Sequence, residues 1–228
     1  MTHKTVFALA GLLLVTLALA GPARAGGRSI TIGDGPMVAG SGKMVSQTRL
    51  VGEFDAVQTK GAVDLHITVG QPVGIAVEMD DNLQGLIVTA VQGRTLVIES
   101  KGSWTADHDP RVTITLPALS ALAMEGSGDA VLKGFNGGDL ALRIGGSGDV
   151  DASGRVDSLS LVVDGSGDAR LGGLQAGRAQ VRVNGSGDVT VNAAQTLEAT
   201  VNGSGDIRYR GNATVTSRVH GSGSVEKQ

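Results

Sequence analysis

The sequence predicts an all-β fold, a parallel β-solenoid, and three observations carry that reading. Gly-Ser-Gly-Asp stands at Gly126–Asp129, Gly146–Asp149, Gly165–Asp168, Gly185–Asp188 and Gly203–Asp206, and a degenerate copy, Gly221-Ser222-Gly223-Ser224, closes the series. The copies return every 18–20 residues, a period at which one repeat makes one stacked coil. Around each copy apolar and polar residues alternate with a period of two, as in a strand with one face turned inward. No segment after the first 25 residues carries a helical period.

Each coil divides into the same parts. Before Gly146 the inward residues are Leu140, Leu142 and Ile144; before Gly165, Leu159, Leu161 and Val163. Ala179, Val181 and Val183 precede Gly185, and Leu197, Ala199 and Val201 precede Gly203. After the aspartate the alternation resumes as Val150 and Ala152, Ala169 and Leu171, Val189 and Val191, Ile207 and Tyr209. A coil is therefore strand, Gly-Ser-Gly-Asp corner, strand and a looser return such as Gly172-Gly173 or Gly211-Asn212. Glycine suits the corner through positive φ or close backbone approach. Serine and aspartate suit it because short polar side chains bond to nearby backbone N–H groups. An antiparallel meander of hairpins is the competing arrangement. The constant phase between the motif and the inward residues favours coils, with Leu140, Leu159 and Ala179 stacked in one internal row.

From its start, the chain reads as three segments. Residues 1–25 resemble a secretory signal: Lys4 gives the positive start, Val6 to Ala20 the apolar run, and Ala23-Arg24-Ala25 the cleavage pattern. That run falls short of the ~20 residues a membrane helix needs, so cleavage is expected and the mature chain has no membrane span. Residues 26–48, with Gly40-Ser41-Gly42-Lys43, are expected to be a flexible glycine-rich leader, with an imperfect outer coil as the alternative. Residues 49–228 form the solenoid domain, with order beginning near Phe54. Val63, Leu65, Ile67 and Val69 alternate, as do Val73, Ile75, Val77 and Met79, with turns at Gly70-Gln71-Pro72 and Asp80-Asp81-Asn82. Leu86–Val88, Leu96–Ile98 and Val112-Ile114-Leu116 continue the strands, so the first half is expected to be less regular coils feeding the regular stack.

Composition excludes several classes of partner. Cysteine is absent, so an exported chain must be held by its core and backbone ladders. Loss of Lys4 and Arg24 with the signal leaves 17 basic and 22 acidic residues, a net charge of −5. That balance argues against nucleic acid and anionic membrane surfaces. Only three Phe, one Trp and one Tyr occur, too few for stacked sugar or nucleobase platforms. Asn184 and Asn202 read as turn residues tolerant of the left-handed conformation.

The chain resembles the auto-transporter adhesin head (GIN) domain family. The residues that carry this are Arg49-Leu50-Val51-Gly52-Glu53-Phe54-Asp55-Ala56-Val57, Gly61-Ala62-Val63-Asp64-Leu65, Thr95-Leu96-Val97-Ile98 and Val112-Thr113-Ile114-Thr115-Leu116-Pro117-Ala118-Leu119, leading into Gly126-Ser127-Gly128-Asp129 and its repeats. Their order, rather than any one string, is specific. The resemblance implies a single-stranded, right-handed parallel β-helix in the bacterial envelope or outside the cell. It carries over no chemistry.

Two groups of residues are candidate sites. Asp129, Asp149, Asp168, Asp188 and Asp206 should stack roughly 4.8 Å apart, where neighbouring carboxylates repel by about 1 kcal/mol even in water. Each is expected to be tied to its own turn; a calcium-binding row is the alternative. The second group is the irregular stretch Lys101–Pro110, where Asp107, His108 and Asp109 offer metal ligands and Trp104 a stacking surface. Its alternative is a surface loop with Trp104 folded onto the core. His66 and His220 read as strand-surface residues. Catalysis needs differently tuned groups gathered at one place, whereas these acids recur uniformly. The sequence therefore points to a non-enzymatic, exported, periplasmic or extracellular solenoid, an envelope scaffold or adhesion-type module without a cofactor. Its expected partner is an envelope protein or glycan, with self-association through the C-terminal end. A carbohydrate-active lyase or hydrolase on the same fold is the alternative.

Overall fold

Alternating segments become strands and the glycine motifs fall between them. The structure, a computed structural model, describes residues 37–228, which lie within the unit Gly33–Gln228. The secretory signal and residues 26–36 lie outside the described residues. In chain order the strands are β1 (Val38–Ala39), β2 (Met44–Thr48), β3 (Ala56–Lys60), β4 (Asp64–Val69), β5 (Gly74–Asp80) and β6 (Ile87–Gln92). There follow β7 (Thr95–Ser100), β8 (Trp104–Thr105), β9 (Arg111–Leu116), β10 (Ala121–Glu125), β11 (Ala130–Asn136) and β12 (Asp139–Ile144). The last are β13 (Val150–Val163), β14 (Ala169–Val183), β15 (Val189–Gly203), β16 (Ile207–Arg210), β17 (Thr214–Gly221) and β18 (Val225–Lys227). A 3-10 turn at Gln84–Leu86 is the helical element among the described residues.

From β10 onward every pairing is parallel, which settles the choice between coils and hairpins. Leu140 pairs with Leu159, Leu159 with Ala179, Ala179 with Leu197 and Leu197 with Val215, the internal row that the alternation predicts. A second row, Leu122, Leu142, Leu161, Val181 and Ala199, is buried throughout and ends at exposed Ser217. Burial of such rows is the main force holding coil to coil.

The return is more than a loose connection. It forms a third side with its own buried row, Val156, Ala176 and Ala193. It also absorbs the variation in repeat length. Between β14 and β15, Leu171↔Val191 is followed by Gln175↔Asn192, and Ala176↔Ala193 by Arg178↔Thr196. At the first break three residues of β14 bulge with none opposite; at the second, one residue of β14 faces two of β15, so the period drops from 20 to 18 without disturbing the corner.

The first half departs from the expected order. β3 lies between β7 and β10, and β4 between β9 and β11, all parallel. The chain thus lays down the coil of β3 and β4, then builds an outer coil from β7 and β9. It next crosses back to add β10 on the opposite side. Beyond the outer coil the pairing turns antiparallel: β5 on β9, β2 on β5 and β6 on β7. Met79, Leu83 and Ile87 are buried at this end. The Gln84 amide donates to the carbonyls of Val45 (2.9 Å) and Met79 (3.2 Å) there.

Residues 37–48 are not a flexible leader. β2 is part of the sheet, and β1 pairs with β8. A clasp holds the turn between them: Ser41 N–H donates to Asn82 Oδ1 (3.0 Å), Ser41 Oγ–H to Asp81 Oδ1 (2.6 Å) and Gly42 N–H to buried Asp80 Oδ2 (3.1 Å). The local sequence hides this because the fixing groups lie about 40 residues away.

Val181 is 1 % exposed in an internal row, whereas its neighbour Arg182 faces solvent. Val181→Asp should cost roughly 4 kcal/mol or more by burying an unpaired carboxylate, while Arg182→Asp stays within about 0.5 kcal/mol. Thermal melts of the two variants check this, and equal melting temperatures would mean that the strand faces are reversed.

Candidate functional site

The corner facet is built on close backbone contact. A Cβ on Gly146, Gly165, Gly185, Gly203 or Gly221 would lie 2.0–2.1 Å from the carbonyl oxygen of the first glycine one coil back. The second glycine is equally constrained: on Gly167 the Cβ would meet Gly148 O at 2.1 Å, on Gly187 it would meet Gly167 O at 2.1 Å. The motif's glycines are thus required chiefly by coil-on-coil approach rather than by a left-handed turn. Serine N–H groups bond down the same stack, Ser166 to Gly146 O (3.0 Å) and Ser186 to Gly165 O (3.0 Å).

The aspartates are tied to the next coil, not to their own turns. Asp149 N–H donates to Asp129 Oδ1 (2.9 Å), Asp168 N–H to Asp149 (2.8 Å), Asp188 N–H to Asp168 (2.9 Å) and Asp206 N–H to Asp188 (2.9 Å). A reciprocal bond runs the other way, Val150 N–H to Asp168 O (2.9 Å) and Ala169 N–H to Asp188 O (2.9 Å). Each step of the stack is therefore clamped by two bonds in opposite directions. The corner bends the backbone out of ladder register, and the carboxylate replaces the missing carbonyl acceptor.

The staircase extends one rung beyond the first motif copy and ends on the degenerate last one. Its first rung is Asp64, which accepts Asp129 N–H at 3.0 Å, so Gly61-Ala62-Val63-Asp64 is a degenerate corner. Its last is Ser224, whose N–H and hydroxyl reach Asp206 Oδ1 at 2.8 and 3.0 Å. The sign that could have revealed Asp64 is its distance of three residues from Gly61 with alternation on both sides.

Two arginines relieve the carboxylate repulsion. Arg170 spans Asp149 (2.8 Å) and Asp168 (3.4 Å), and Arg208 spans Asp188 (3.1 Å) and Asp206 (3.0 Å). The hydrogen bond to Asp149 raises the pKa of Arg170 above its ordinary value, and the bond to Asp188 does the same for Arg208. A raised folded-state pKa gives stability that is complete below the ordinary arginine value and lost only in strong alkali. The clamps therefore add no pH dependence near neutrality.

Beside this staircase, Asn202 Nδ2 donates to Asn184 Oδ1 (2.8 Å) and Asn184 Nδ2 to Asp164 Oδ1 (2.6 Å), and Arg143 pairs with Asp164. Asn184 and Asn202 are thus rungs of a side-chain ladder rather than left-handed turn residues; no described residue other than glycine has positive φ.

The stretch 101–110 occupies the corner position of the outer coil, between β7 and β9. Trp104 is half-buried against the core, and its Nε1–H donates to Ser100 Oγ at 3.0 Å. β1 straps the loop through Val38 N–H to Ser103 O (3.0 Å) and Gly40 N–H to Thr105 O (2.7 Å). Asp107, His108 and Asp109 are exposed. No group of three or more His, Cys, Asp or Glu placed to hold a metal occurs among the described residues. His66 and His220 are exposed on strands.

Residues 53–213 match the family model described as "Putative auto-transporter adhesin, head GIN domain". The chain belongs to this family. The matched span takes in the corners from Gly61 through Asp206. No curated protein matches the chain. Among solved structures it is similar to a "putative adhesin" from Bacteroides fragilis NCTC 9343, at 24% identity and TM-score 0.68, over 84% of this chain and 100% of that one. A "putative lipid binding protein" from Parabacteroides distasonis ATCC 8503 shares 24% identity and TM-score 0.52, over 85% and 100%. A "putative adhesin" from Parabacteroides merdae ATCC 43184 shares 20% identity and TM-score 0.50, over 84% and 99%. These likenesses show the fold. No helix among the described residues is long and apolar enough to cross a membrane.

The staircase separates two substitutions at one position. Asp188→Asn keeps an acceptor for Asp206 N–H, whereas Asp188→Ala removes it and should cost about 1–2 kcal/mol more in chemical denaturation. Equal losses would show that the backbone bond is not what the carboxylate supplies. Calcium at millimolar concentration should raise the melting temperature by no more than about two degrees, because arginines and N–H groups already occupy the carboxylates. A larger rise, lost in an Asp168→Asn/Asp188→Asn variant, would reinstate the cation row.

Proposed function

We propose that this chain is an exported, non-enzymatic solenoid that serves in the cell envelope as a scaffold or adhesion-type binding module. The observation that supports this most is how the acids are used. Each corner carboxylate from Asp64 to Asp206 accepts a backbone N–H of the next coil, so the repeated acids serve the stack. A lyase or hydrolase needs two unlike carboxylates across a cleft, whereas Asp107 and Asp109 are exposed on the strapped loop. The interior is filled by aliphatic rows, so a ligand of any class would be taken on the outer faces.

The same reading assigns self-association to the C-terminal coil. Among the described residues β17 pairs only with β15, and β18 only with β16. The free edge of β17 carries Val219, 41 % exposed, in the row that is buried elsewhere. Unpaired strand edges of this kind pair readily with another copy.

Two measurements test these readings. Mature protein incubated with acidic and neutral polysaccharides should release no new reducing ends and no unsaturated products absorbing in the ultraviolet; sustained release of either would overturn the non-enzymatic reading. Sedimentation velocity at micromolar concentration should show a dimer that Val219→Lys dissociates, and a strictly monomeric wild type would remove the self-association.

A further inference from the structure

The strands that precede the corner share one outward face. Along it, one row reads Arg143, Val162, Arg182, Thr200 and Arg218 in stacking order. The row beside it reads Ser160, Gln180, Glu198 and Thr216. An arginine therefore stands on every second coil, roughly 10 Å from the next, with a short side chain between. These short residues leave a trough of about 440 Å³ from Val162 to Arg218. Through Ser160 and Val162 it continues into a second of about 490 Å³, floored by Ala121, Ala123 and Ala141.

The arginines differ in what holds them. Arg94, Arg143, Arg170 and Arg208 are ion-paired to aspartates. Arg182 and Arg218 are exposed and make no ion pair among the described residues. Even the carboxylate lining their trough, Glu198, accepts a hydrogen bond from Gln180 instead. Alternation alone would serve to keep like charges apart, but it does not explain why the charges stay unneutralised beside Glu198.

We infer that this trough binds a linear acidic polysaccharide laid along the solenoid axis, with Arg182 and Arg218 each taking a carboxylate on alternate sugars. A chain with one uronate per disaccharide presents its carboxylates at a matching interval, and the planar guanidinium fork fits a carboxylate by two parallel bonds. Ser160, Gln180, Thr200 and Thr216 supply partners for sugar hydroxyls, and the alanine floor meets the apolar faces of the rings. With a net charge of −5 on the mature chain, attraction of a polyanion is local to this face. Duplex DNA fits poorly, since its phosphates are far more closely spaced. The inference rests on the binding-module reading and gives it a ligand class.

Affinity electrophoresis of the mature protein tests it, in gels cast with hyaluronan (uronate on alternate sugars), polygalacturonate (uronate on every sugar) or neutral dextran. Hyaluronan should retard the protein most, dextran not at all, and salt should weaken the effect. Arg182→Gln/Arg218→Gln should weaken binding roughly tenfold or more, with Arg94→Gln unchanged and circular dichroism reporting intact folds. No retardation by hyaluronan, equal retardation of the double variant, or stronger retardation by polygalacturonate or duplex DNA would each overturn the inference. If it fails while a glycan array still finds a neutral ligand, the module reading stands without this trough. Depolymerised hyaluronan would remove both.

Discussion

The structure depends on how closely one corner can lie on the next. A methyl group on most of the corner glycines would stand about 2 Å from a carbonyl oxygen of the coil beneath, less than any real contact allows. Glycine at both motif positions therefore sets the spacing that the strand ladders continue on either side. Once the corners are in register, the internal rows follow without further instruction, because equal residues fall on equal residues. Variation in repeat length is confined to the return, where the bulges between β14 and β15 take up two residues far from the contact that cannot change.

Stacking in register puts like charge on like charge, and the chain answers this within the same motif. A carboxylate that accepts the next coil's N–H has part of its charge stabilised at the point of contact. Arg170 and Arg208 then bridge the pairs Asp149/Asp168 and Asp188/Asp206, one cation to two carboxylates. Because an arginine reaches across one coil step, placing it on every second coil is sufficient. The outward row Arg143, Arg182, Arg218 follows the same alternate spacing, but among the described residues its first member alone is ion-paired. The contrast separates arginines that hold the corner from those that face solvent.

Much of this was legible from short-range pattern. Leu140, Leu159 and Ala179 stack as their phase to the motif requires, and the arginine clamps lie two residues after Asp168 and Asp206, on the same strand face. What escaped was information that alternation does not carry. Period two is shared by parallel and antiparallel strands, so nothing local in Ile75, Val77 and Met79 announces that β5 runs against β9. Ala62 and Val63 disguise a working corner, since only the glycine and the aspartate of the motif are needed where no coil of the regular kind lies beneath. The strand β2 shows no buried face at all and is held by turns that approach it from far along the chain.

That out-of-order first half has a physical rationale. A coil stack exposes backbone donors and acceptors at each end, and an open parallel edge invites another strand. Had the chain begun with its outermost coil, the start of the solenoid would be an edge with nothing left to cover it. Instead the coil of β3 and β4 comes first and is later enclosed on both sides, Ala56 pairing with Thr95 below and Ala121 above. The segment between, β5 through β9, is thereby free to reverse direction and lay antiparallel strands over the outer coil. Covering the outer coil in this way ties the first coil to contacts distant in sequence, so it cannot form by simple addition to a neighbour, as the regular coils can. Among the described residues, the regular half gains near-neighbour assembly and ends at the parallel edge of β17; the irregular half gives up that locality and covers its outer coil with antiparallel strands that end at β2 and β6.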